Sequence, residues 1–93
     1  MTHIVAQRGD RIHRLRAVGH ASGSREVCGA VSVLLQGLWQ WALDHDSLVS
    51  ATAGMGYADL AVHRTGEWEY DFVCYVLRLL ARDCPEYVTY EEV

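Results

Sequence analysis

Apolar residues recur along this chain with two different periods, and the change of period marks out its elements. Residues 3–7 (HIVAQ) and 12–18 (IHRLRAV) are short alternating runs that flank the polar RGD, and they predict a β-hairpin with Gly9-Asp10 at the turn. From Glu26 to about Leu43 the period lengthens. Val27, Ala30, Val31, Leu34, Leu35, Leu38 and Ala42 recur every three or four residues, which is the stripe of an amphipathic helix. Ser24 stands at its N-cap position and Glu26 falls in its first turn.

LDHDS closes that helix, and Leu48–Ala53 with Tyr57–His63 predict a second hairpin around Gly54-Met55-Gly56. Thr65 is then placed to cap a second helix from about Gly66 to Asp83, with Phe72, Val73, Val76, Leu77 and Leu80 on one face. Glu67, Glu69 and Asp71 come early in it and Arg78 and Arg82 late, so each sign sits at the helix end whose dipole it favours. Pro85 ends it, and EYVTYEEV reads as a returning edge strand with an acidic end. The order β-β-α-β-β-α, with that last strand, predicts a small single α+β domain over residues 1–93. Its two helices pack on one antiparallel or mixed sheet.

Composition narrows the possible partners. The 93 residues are 51% apolar, enough for one core and too few for two. The eight basic residues are all arginines, and Arg8, Arg11, Arg14 and Arg16 are grouped, but the net charge of −4 argues against a nucleic-acid partner. No apolar run reaches a membrane span, and MTHIVAQRGDR lacks the features of a signal peptide, so no membrane partner and a cytoplasmic address are expected. Cys28, Cys74 and Cys84 are reduced in that compartment, and their odd number and wide spacing give neither a disulfide framework nor a zinc knuckle. Asp44-His45-Asp46 has ligand chemistry but no distant partner histidine of clear spacing, so it reads as a solvated turn; no metal and no cofactor are expected.

The stretch VGHASGSREVCGAVS, residues 18–32, carries the candidate chemistry. His20 follows the second strand, and Ala21, Ser22, Gly23 and Ser24 lead back to the helix, which places Cys28 about one turn inside its N-terminus. The positive helix end and a neighbouring imidazolium both stabilise a thiolate, and so short a loop brings His20 and Cys28 within reach of each other. Ser22, Gly23 and Gly29 have little bulk, leaving room for an extended peptide and for N–H groups that form an oxyanion site. Ser32 lies one turn beyond Cys28 on the same helix face. The bland alternative stands beside this one: Cys28 as a small core filler and His20 as a half-exposed strand-end residue.

Gly19-His20-Ala21, a glycine-bearing loop, Val27-Cys28 and Ala30-Val31-Ser32 together resemble the GHA … G … VCAAVS signature of the Prp family of ribosomal-processing cysteine proteases. The resemblance covers nearly the whole chain. It implies a cysteine endopeptidase with Cys28 as nucleophile, His20 as general base and Ser32 in support, acting as a homodimer on a protein substrate. That substrate is the N-terminal extension of bacterial ribosomal protein L-twenty-seven, or a phage capsid or scaffold protein. The chain departs from the pattern in three ways. Cys28 follows His20 by only eight positions, Arg25 stands where the family has an aspartate, and Gly29 replaces the first alanine after the cysteine. The alternative from another class is a non-catalytic dimeric module that keeps the fold and binds a ribosomal or capsid protein.

Other residues have plainer readings. One of Trp39 and Trp41 is expected to pack the helix end under the second hairpin, and Cys74 and Cys84 are structural. His3, His13 and His63 fall on strands, half-buried or exposed, and His63 approaches the site only if its hairpin packs there.

Overall fold

The two alternating runs at the start of the chain pair as predicted. β1 (Thr2–Arg8) and β2 (Ile12–Val18) form an antiparallel hairpin in which Ile4 faces Ala17 and Ala6 faces Leu15. This is a computed structural model that describes residues 1–19 and 24–93. β3 (Leu48–Gly54) and β4 (Tyr57–His63) make the second hairpin, and β5 (Val88–Glu92) completes a sheet of order β3-β4-β2-β1-β5. β5 is an edge strand, as expected, and it runs parallel to β1, so the sheet is mixed.

α1 (Arg25–Asp44) joins β2 to β3, and α2 (Glu67–Asp83) joins β4 to β5. Each connects strands that run the same way, which only a crossover can do, and both cover the same sheet face. The core lies between. Val27, Val31, Leu35, Leu38 and Ala42 of α1 meet Leu15, Leu60 and Val62 of the sheet, as the apolar stripe requires.

The buried face of α2 differs from the predicted one. Tyr70, Val73, Cys74 and Leu77 are buried, whereas Phe72 is 65% exposed. A tyrosine goes inside only where its hydroxyl is satisfied. Tyr70 donates to the Arg14 carbonyl at 2.7 Å and stacks on His13, which is therefore fully buried where a half-buried or exposed strand position was expected. Thr65 does not cap α2 either. A 3₁₀ turn (Arg64–Gly66) precedes the helix and Gly66 is its N-cap, while the Thr65 hydroxyl pairs at 2.6 Å with that of fully buried Ser47. Leaving the Ser47 hydroxyl unpaired in the interior would cost more than the cap returns.

Three of the four grouped arginines pair with carboxylates of this chain. Arg8 pairs with Asp71, and Arg14 and Arg16 both reach Asp59, at 3.4 and 3.2 Å. No helix among the described residues is long and apolar enough to cross a membrane.

Candidate active site

Ser24 sets the start of α1. Its backbone is extended, its Oγ accepts the Val27 N–H at 3.2 Å, and its carbonyl accepts the Cys28 N–H at 3.2 Å. Cys28 is therefore the fourth helical residue, and its side chain is half-buried. It opens onto a groove of about 310 Å³ between α1 and the β3–β4 hairpin.

The groove follows from spacing. Along α1, Cys28, Ser32 and Gln36 make one row at every fourth residue, and Val31, Leu35 and Trp39 make an apolar row beside it. Opposite stand Met55, Gly56 and Tyr57 of the hairpin tip, with Met55 almost wholly exposed at the rim. The floor is a row of alanines: Ala17 of β2 pairs with Ala58 of β4, which pairs with Ala53 of β3. Three methyl groups abreast on three strands leave the depth that larger side chains would fill.

Gly19 fixes the near end. Its φ of +95° is one that side-chain-bearing residues rarely adopt, and a Cβ there would strike the Met1 carbonyl. Its N–H donates to the Gly56 carbonyl at 2.7 Å and its carbonyl accepts from Thr2 Oγ1 at 3.3 Å. The chain is thus tied to the hairpin tip and to β1 immediately before His20. His20, Ala21, Ser22 and Gly23 themselves lie outside the described residues.

Over its full length the chain is similar to the ribosomal processing protease Prp from S. aureus in complex with a covalently linked product peptide. The TM-score is 0.85, with 14% identity and 100% of each chain covered. Its fold is that of Prp. Prp from S. aureus in complex with a substrate peptide gives a TM-score of 0.82 at 13% identity, again with 100% of each chain covered. SMU.848 from Streptococcus mutans gives 0.79 at 24% identity, over 100% of this chain and 97% of that one. No family model matches the sequence, and no curated protein matches it.

On this Prp fold the remaining candidates take separate places. Ser32 is exposed on the groove wall beside Cys28. Gly29 is exposed and absent from the lining, and a Cβ on it would meet no atom within 4 Å. Trp39 packs against the core and lines the groove across from the second hairpin, while Trp41 stacks on His45 with ring centroids 4.3 Å apart. Asp44-His45-Asp46 is an exposed turn in which His45 Nδ1 lies 2.8 Å from the Trp41 carbonyl, and among the described residues no group of three or more ligand-type side chains is placed to hold a metal ion. His63 is at the opposite end of β4 from Tyr57, about 20 Å away along the strand. It does not reach the groove.

Two other cysteines bear on the choice of nucleophile. Cys84 is the half-buried C-cap of α2, and Cys74 is 1% exposed in the core. Burial pushes the Cys74 thiol above its ordinary value, against the smaller opposing pull of hydrogen bonding with Tyr90 and Tyr70.

The groove residues missed from sequence are Gln36, Thr2 and the far wall. Gln36 was visible as the second fourth-residue step from Cys28. The small residues at 17, 53 and 58 were visible too, but their alignment depends on long-range strand register.

Proposed function

We propose that this chain is a cysteine endopeptidase of the Prp kind, with Cys28 as nucleophile and His20 as general base. The reading is carried by one observation: a half-buried cysteine at the head of a helix opens onto a peptide-sized groove, on a fold shared with a peptide-bound protease. His20 takes the thiol proton, and the thiolate attacks the scissile carbonyl. The first-turn end of α1 favours negative charge, and of the N–H groups near residues 23–29 those ahead of Val27, whose own N–H Ser24 takes, donate to the oxyanion. Collapse forms a thioester and releases the amine, which receives the proton from His20; water then hydrolyses the thioester. Ser32 supports the thiol from one turn away. No cofactor enters this scheme.

The substrate is an extended protein segment with apolar side chains for the alanine-floored groove and main-chain amides for the row of Ser32 and Gln36. The N-terminal extension of ribosomal protein L-twenty-seven fits this class, as does a phage capsid or scaffold segment, with the reaction taking place in the cytoplasm. Incubating the chain with extended L-twenty-seven and with the capsid or scaffold protein, followed by mass spectrometry, tests it. Cys28→Ala and His20→Ala are each expected to lower cleavage by about 1,000-fold or more. Cleavage by Cys28→Ala at the wild-type rate overturns the assignment. The short spacing between His20 and Cys28 favours one other reading, a non-catalytic module, and a stable complex left uncut by the wild-type chain supports that instead.

A further inference from the structure

The two edges of the sheet are built differently. β5 is five residues long and ends in Glu91 and Glu92, carboxylates of the kind that keep an edge from pairing with another chain. β3 is seven residues long, LVSATAG, with no charged side chain and no proline. Its irregularity, a register shift between Leu48 and Ser50, disturbs the start of the strand and leaves Ser50–Gly54 in unbroken register with β4.

The register decides which backbone groups are left over. Gly54 and Tyr57 face each other across the two-residue turn Met55-Gly56, and a pair at that position exchanges both of its hydrogen bonds. Alternation then turns the N–H and C=O of Thr52 toward Asp59, and those of Ala51 and Ala53 away from the hairpin. Among the described residues no strand pairs on that side, because β3 is the outermost strand of the sheet. Donors and acceptors of Ala51 and Ala53 thus stand in a row along an uncharged edge.

This edge is continuous with the cysteine groove. Ala53 pairs with Ala58 and belongs to the groove floor, while its backbone groups face outward. A strand laid beside β3 puts the residue opposite Ala53 on the same sheet face as Ala53, so its side chain enters the groove and the residues on either side of it point away. We infer that the edge of β3 takes up an extended segment of the protein substrate as an added strand, hydrogen-bonded to the backbone of Ala51 and Ala53. The inference rests on the peptidase reading for what the segment is, and it adds how the segment is held. Main-chain bonds to the edge set the register, and every second side chain is offered to the groove. A segment that is helical, or that places proline opposite Ala51 or Ala53, cannot complete those bonds.

Amide hydrogen exchange followed by nuclear magnetic resonance tests this on Cys28→Ala, chosen so that a bound segment stays intact, with peptides of the L-twenty-seven extension and of the capsid or scaffold segment. In the chain alone the Ala51 and Ala53 N–H groups are expected to exchange faster than that of Thr52, which is bonded inside the hairpin. A bound peptide is expected to slow both by about tenfold or more and to leave Thr52 unchanged. In the otherwise wild-type chain, Ala51→Pro removes one outward N–H at an edge position. It is expected to raise KM by about tenfold with kcat within about twofold of wild type, while the far-ultraviolet circular dichroism stays unchanged. A peptide that binds while both amides exchange freely, or an unchanged KM in Ala51→Pro, overturns strand addition and leaves the peptidase reading standing. Protection by a peptide that the wild-type chain never cuts supports strand addition and overturns the peptidase reading. Protection without peptide that grows with chain concentration puts a second copy on the edge and overturns the proposal, as does a chain that takes up neither peptide.

Discussion

Cys28 ends the first turn of α1, half-buried at the head of an open groove, whereas Cys74 sits in the middle of α2, 1% exposed between Tyr70 and Tyr90. The side chains are identical and the surroundings are opposite. At the helix start a negative charge meets the positive end of the dipole and solvent stands nearby. At mid-helix a negative charge would have to form in the core, and burial holds the Cys74 thiol, and the Tyr70 and Tyr90 phenols around it, in their neutral forms. Position on the helix thus separates a candidate nucleophile from a packing atom.

The largest expected effect that sharpens this contrast is in alkylation. Iodoacetamide at neutral pH should modify Cys28 about 1,000-fold faster than Cys74 or more, because Cys74 reacts only through opening of the core. Peptide mapping by mass spectrometry reads both rates in one sample, and comparable rates would break the comparison. Next comes the anchor beside the groove. Gly19→Ala forces a side chain into a left-handed backbone position against the Met1 carbonyl, and it should lower unfolding free energy by about 2 kcal/mol or more in urea titration. An unchanged midpoint would mean that the chain entering His20 is not held there. The smallest effect is at Gly29→Ala, where nothing stands within 4 Å and helix propensity alone acts. Stability should rise by at most about 1 kcal/mol, and Cys28 alkylation should stay within about twofold of wild type.

Local pattern made much of the fold legible. The period of two in β1 and β2, the long stripe of α1 and the Ser24 cap all express interactions between residues close in sequence, and each was found where expected. α2 was read less well because hydropathy ranks Phe72 above Tyr70, while the structure ranks them by whether a hydroxyl can reach the Arg14 carbonyl. Thr65 departs from expectation for a similar reason, since its hydroxyl serves Ser47 at the far end of the same β3–β4 hairpin, 18 residues back in the chain. At the site, the placement of Cys28 in the first turn was visible in the sequence. The groove beside it was not, because Ala17, Ala53 and Ala58 become neighbours only once three strands are in register.

That row of alanines has a consequence for how such a groove changes. Its depth is set by three residues on rigid, hydrogen-bonded strands, so it works as a fixed gauge that does not adapt to what enters. A single added methyl at any of the three would raise the floor by one step and exclude the bulkiest occupants, leaving Cys28 and its helix cap untouched. The size of side chain that the groove admits and the placement of Cys28 are thereby written in separate parts of the chain, and each can drift without disturbing the other.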